Sequence, residues 1–196
     1  MDTSSSDIVV IICSTGGPKA LHSIVPKLPK NLKTPVLIVQ HMGDGMTNIF
    51  AGRLNMLSEI QVKEATHGER LKQGTVYIAK GGMHLTVDSS GKYPTVCFDD
   101  SPAVFGIKPC GDILLRSLIQ SPYRQVICAI LTGMGNDGTA GLKELSKHKS
   151  IYVIAQNEES STVFGMPKVV LENGLADCVC DLEEIADNII RKVGVC

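Results

Sequence analysis

The chain has 196 residues, enough for one domain with a substantial core. A net charge of -1 leaves no electrostatic footprint for nucleic acid, and 4% aromatics with no tryptophan leave no platform for stacked bases. No apolar run reaches the roughly 18 residues of a membrane span, and the Ser-rich, acidic start lacks the basic segment of a signal peptide, so a cytoplasmic protein without membrane insertion is expected.

Residues 1–7 read as a disordered tail or linker remnant, and residues 8–196 as one domain without an internal boundary or repeat. Ile8-Val9-Val10-Ile11-Ile12 is an unbroken β-branched run, the mark of a buried strand. It ends in Cys13-Ser14-Thr15-Gly16-Gly17-Pro18, where the proline suits a first helical turn. Residues 36–40 form a second apolar run, closed by His41-Met42-Gly43. Residues 46–57 have helical spacing, with Phe50, Leu54 and Leu57 on one face. Short strands are expected at 61–65 and 75–79, and a weak hairpin around Ser89-Ser90-Gly91-Lys92. A helix follows over 111–119, then a strong buried strand over 126–131. Residues 139–148 read as helix and 151–155 as strand, while 163–173 is broken by Gly165 and Pro167. A last strand at 178–180 and an amphipathic helix at 182–193 close the chain. Such alternation predicts an α/β fold, a doubly wound and mostly parallel sheet with helices on both faces and a small β-hairpin excursion.

The seven cysteines are odd in number and contain no C-x-x-C pair, so free buried thiols in a reducing compartment are expected rather than a zinc site. No metal or cofactor is called for.

Three polar clusters each follow a strand: Ser14 the first, His41 the second, Asp137 the run at 126–131. In a parallel sheet the carboxyl ends of strands share one edge, so these side chains can converge there. A serine hydroxyl needs a base to take its proton; an imidazole titrates near neutrality, and a buried carboxylate can hold its tautomer. Each residue also has a plainer reading: Ser14 and Asp137 as helix caps, His41 as a turn residue. Cys13 is a rival nucleophile. His22, His67, His84 and His148 follow no buried run and read as surface or turn residues. Gly133-Met134-Gly135-Asn136-Asp137-Gly138 also matches a dinucleotide fingerprint, with Glu158 or Glu159 at the expected distance, which makes a dinucleotide-binding module the alternative. Asp137 inside that loop would repel a pyrophosphate unless it pointed away.

Ile12-Cys13-Ser14-Thr15-Gly16-Gly17-Pro18-Lys19-Ala20-Leu21, Gln40-His41-Met42 and Ile130-Leu131-Thr132-Gly133-Met134-Gly135-Asn136-Asp137-Gly138 together resemble the catalytic domain of the chemotaxis protein-glutamate methylesterase family. Ile154-Ala155-Gln156-Asn157-Glu158 and Val163-Phe164-Gly165-Met166-Pro167 extend the likeness over nearly the whole chain. The resemblance implies a serine hydrolase that cleaves γ-glutamyl methyl esters on the cytoplasmic helices of chemoreceptors, releasing methanol, with deamidation of receptor glutamines as a second activity. It places the nucleophile at Ser14, the base at His41 and the orienting carboxylate at Asp137. Candidate oxyanion donors are Met134 and Thr15, and Gly16 and Gly17 are expected to let a receptor helix approach closely. A domain that binds receptors without turnover is a weaker option.

Two departures stand out. Gly43-Asp44-Gly45 replaces the family's usual proline after His-Met, which is expected to loosen that loop and add charge near His41. The segment Ile107-Lys108-Pro109-Cys110-Gly111-Asp112 keeps only Lys108, Pro109 and Asp112 of a basic Pro-Ser-Val-Asp pattern, so docking is expected to differ. Typical members also carry an amino-terminal receiver domain, for which this length leaves no room; either a catalytic piece or a stand-alone domain is expected.

Overall fold

The structure is a computed structural model that describes residues 6–195. Most of the tail expected at 1–7 therefore lies outside the described residues, but Asp7 belongs to the first strand.

Seven parallel strands form the sheet: β1 (Asp7–Cys13), β2 (Val36–Gln40), β3 (Gln61–Glu64), β4 (Thr75–Ile78), β7 (Gln125–Ile130), β8 (Ser150–Gln156) and β9 (Cys178–Cys180), in the order β3-β4-β2-β1-β7-β8-β9. β5 (His84–Asp88) and β6 (Thr95–Asp99) make the separate antiparallel hairpin. β1 pairs with β2 on one side and β7 on the other, so both its edges are satisfied and both its faces are covered. That is why its sequence is uninterrupted Ile and Val rather than alternating.

The alternate side chains of β1 enter different cores. Val9, Ile11 and Cys13 pack with α1 (Gly17–Ile24), α2 (Met46–Leu57) and α6 (Ile185–Val193). Ile8, Val10 and Ile12 pack with α3 (Gly111–Ser117), α4 (Thr139–Leu145), α5 (Met166–Glu172) and the hairpin. Each fully buried Ile or Leu contributes about 1.5–3 kcal/mol, so this strand anchors both layers. On α2, Phe50 and Leu54 face the core as expected, but Leu57 is exposed, because the helix ends there and the chain turns into β3.

The chain runs outward from β1 through β2, then restarts beside β1 at β7. The crevice at this reversal, beyond the strand carboxyl ends, is where open α/β sheets bind ligands. No helix among the described residues is long and apolar enough to cross a membrane.

Candidate active site

A cavity of about 650 Å³ opens at that crevice and is lined by Ser14, Thr15, His41, Met134 and Asp137 among others. Ser14 leaves the end of β1, His41 the end of β2, and Asp137 the loop after β7. The backbone ties these ends together. The His41 N–H donates to the Cys13 carbonyl at 3.1 Å, and the Ser14 N–H to the Thr132 carbonyl at 3.0 Å.

Asp137 is 4% exposed and accepts five hydrogen bonds. Its Oδ2 takes His41 Nε2–H at 2.7 Å and the Gly111 N–H at 2.7 Å. Its Oδ1 takes the Asp112 N–H at 2.9 Å, the Gly138 N–H at 3.0 Å and the Cys110 thiol at 3.1 Å. Burial alone would push this carboxyl up. The hydrogen bonds from His41, Gly111, Asp112 and Cys110 outweigh it and hold the pKa below the usual carboxylate value. The plainer reading of Asp137 as a cap for its own helix fails: it caps the first turn of α3 instead. Asp112 returns the arrangement, accepting the Gly141 N–H of α4 at 2.6 Å. Two acidic residues thus lock two helix starts to each other across the site.

Because ionised Asp137 only accepts, His41 must donate from Nε2. Nδ1 is then the nitrogen left to take a proton. This is the reverse of the serine-protease arrangement, in which the aspartate holds Nδ1. Ser14 lines the same cavity as the imidazole, but among the described residues its hydroxyl makes no hydrogen bond to His41. It caps no helix either: α1 starts from Gly16 without a side-chain cap. The Thr15 and Met134 backbone N–H groups are likewise without a protein partner among the described residues.

Cys13 is no rival. Its side chain is fully buried, burial pushes the thiol far up, and the sulfur faces Gln40 Oε1 at 3.1 Å. Cys110, Asp112 and Asp137 group three potential metal-ligating atoms. Burial and the Asp137 charge push the Cys110 thiol up to about 12, so it acts there as a donor.

Several sequence expectations need correction. The fingerprint loop is not a phosphate cradle, since Asp137 points inward and takes the Gly138 N–H at the start of α4. The glycine pair does not open the surface. A Cβ at Gly17 would sit 1.9 Å from Gln40 Oε1, and one at Gly16 would sit 2.5 Å from Thr162, so both glycines serve internal packing. Beside the Gly43–Gly45 turn, Gly81 leaves no room for a side chain, since an added Cβ would lie 2.3 Å from the Gly43 carbonyl oxygen. His84 is not a surface residue but fully buried. Its Nδ1 accepts the Cys110 N–H at 3.2 Å, and its Nε2 faces the Pro102 carbonyl at 3.2 Å.

Gln40, Thr132 and Gln156 were missed as supports. Gln40 Nε2 donates to the Ser14 and His41 carbonyls, both at 3.1 Å. Thr132 Oγ1 donates to the Thr15 carbonyl at 2.9 Å, and Gln156 Oε1 accepts the Thr132 N–H at 2.8 Å. The available signal was a glutamine closing an otherwise apolar strand, as in β2 and β8.

A family model described as CheB methylesterase matches residues 9–189. The chain belongs to the CheB methylesterase family. A Bacillus licheniformis relative named protein-glutamate methylesterase/protein-glutamine glutaminase is 49% identical over 187 residues, covering 95% of this chain and 52% of the relative. A Pyrococcus abyssi protein of the same name is 41% identical over 185 residues, covering 94% of this chain and 50% of its own length. The CheB methylesterase catalytic domain of Thermotoga maritima superposes with a TM-score of 0.91 at 42% identity, covering 95% of this chain and 98% of that domain. The chain thus spans about half the length of the curated relatives it matches, and nearly all of the solved CheB catalytic domain.

Proposed function

We propose that this CheB-family domain is a serine hydrolase that cleaves glutamate γ-methyl esters on the cytoplasmic helices of chemoreceptors. The observation that carries the reading is the His41–Asp137 pair, 2.7 Å apart and buried, in the same cavity as Ser14. His41 Nδ1 takes the Ser14 proton as Oγ attacks the ester carbonyl. Asp137 fixes the ring and stabilises the imidazolium that forms. The unpartnered Thr15 and Met134 N–H groups are the donors for the tetrahedral oxyanion. His41 then protonates the leaving methoxide, methanol departs, and water hydrolyses the acyl-Ser14 to glutamate. The same acyl chemistry on a glutamine releases ammonia, in keeping with the double name of the relatives. No step calls for a cofactor. The enzyme would act in the cytoplasm, with a receiver domain as its regulator.

The test is methanol release from methylated receptor membranes. Ser14→Ala should lower the rate by about 10⁴-fold or more, with circular dichroism unchanged. Undiminished release by that variant would remove Ser14 from the mechanism.

A further inference from the structure

The rim of the cavity carries a feature that neither the triad nor the core uses. Val104 and Ile107 pair across a tight turn, with reciprocal backbone hydrogen bonds of 3.1 and 2.9 Å. The residues between them, Phe105 and Gly106, both have positive φ, 49° and 79°. Turns of this kind usually carry Asn-Gly, because left-handed backbone crowds a large side chain. Phe105 is also 96% exposed. Backbone sterics and the hydrophobic effect therefore both disfavour phenylalanine here in the free protein.

The turn is anchored at its base. The Gly82 N–H donates to the Lys108 carbonyl at 3.4 Å, and the Lys108 ammonium meets Asp100 at 2.7 Å. Three residues further on, at Gly111, the chain becomes the N–H shelf under Asp137. Phe105 and Gly106 line the same cavity as Ser14 and His41. So does Met134, which is 72% exposed on the loop after β7. Single exposed apolar side chains are ordinary. These two are set apart by their place, since both border the opening through which the reacting side chain must pass.

We propose that Phe105, together with Met134, grips the helix that carries the ester. An apolar residue one or two turns from the modified glutamate would pack against them while the ester enters the cavity. The inference rests on the methylesterase reading above. Continuity with the cavity names the occupant, because the polypeptide presenting an ester to Ser14 has to lie across this rim. A glutamyl ester is small and flexible, so contacts from its carrier helix supply the recognition that the side chain itself lacks.

The experiment compares Phe105→Asn with Phe105→Tyr. Asparagine is at home in the left-handed turn, so the hairpin keeps its shape, and tyrosine keeps the ring. Both kcat and KM are measured for methanol release from a methylated helical receptor fragment and, in parallel, from a capped single-residue glutamate γ-methyl ester. Phe105→Asn should raise KM for the receptor fragment about tenfold with little change in kcat, and Phe105→Tyr should stay within about twofold of the parent. The ratio of kcat/KM between receptor fragment and small ester should fall in step. An unchanged receptor KM in Phe105→Asn, or equal losses on both substrates, would overturn the grip. Parent enzyme that cleaves the small ester but no receptor ester would overturn the methylesterase reading, and the grip with it.

Discussion

Asp137 and Ser14 stand at opposite ends of the proposed triad, and the protein treats them differently. Asp137 is buried under five donors drawn from α3, the loop after β7, Cys110 and His41. The Ser14 hydroxyl lines an open cavity, and only its backbone is pinned, through Thr132 and Gln40. The difference matches the tasks they have in the proposed mechanism. A buried carboxylate must stay ionised without solvent, which requires fixed dipoles around it. A nucleophile must turn from base to carbonyl during reaction, so a tight partner would compete with catalysis. Preorganisation is therefore concentrated on the charge that does not move.

The largest combined loss of activity and stability should come from attacking the fixed end. Asp137→Asn should lower esterase turnover by about 10⁴-fold and cost about 3 kcal/mol of stability, measured by methanol release and urea denaturation. Its pH dependence is a separate check. A carboxyl whose folded pKa lies below its unfolded value stabilises the fold above the unfolded value, about 3.9, and loses that contribution as pH falls through the folded one. The parent should therefore lose stability below about pH 4, and Asp137→Asn should flatten that acid limb.

At the Ser14 end, Gly17→Ala drives a Cβ into Gln40 Oε1 and should cost about 2 kcal/mol, with a drop in activity as the Ser14 and His41 carbonyls lose their shared donor. Adding Gln40→Ala should recover part of that stability in a double-mutant cycle. If the two changes are simply additive, the glycine is not reserved for Gln40. His84→Phe leaves the Cys110 N–H buried without its acceptor and should cost about 1–2 kcal/mol. Its activity should fall several-fold because the N–H shelf under Asp137 shifts; full activity would show that the shelf holds without His84. The smallest effect belongs to a solvent-exposed bond. Arg116 and Glu144 form a half-exposed ion pair at 2.7 Å, and Arg116→Ala should change stability by no more than about 0.5 kcal/mol.

Particular elements show how much the sequence disclosed. β2 and α2 begin and end where their patterns predict, since an apolar run bounded by His-Met-Gly and a 3.6-residue period are local signals. The meeting of Ser14, His41 and Asp137 in one cavity was legible because each follows a strand, and a parallel sheet brings strand ends to one edge. His84 was misread because its neighbours look like an ordinary weak strand; its burial arises only when the hairpin closes over α3. Gly16 and Gly17 were read as surface features because their neighbours Thr162 and Gln40 are distant in sequence or hidden in a strand end.

The sequence by itself determined the doubly wound sheet, because hydrophobic periodicity is written in short stretches, and it singled out Ser14, His41 and Asp137 as candidates through their strand-end positions and the family resemblance. Tertiary structure alone decided which imidazole nitrogen faces the carboxylate, which helix Asp137 caps and what fills the space beside each glycine. Those outcomes depend on groups as far apart as residues 41 and 137, and only packing of the two helical layers against the sheet brings such groups within a few ångströms.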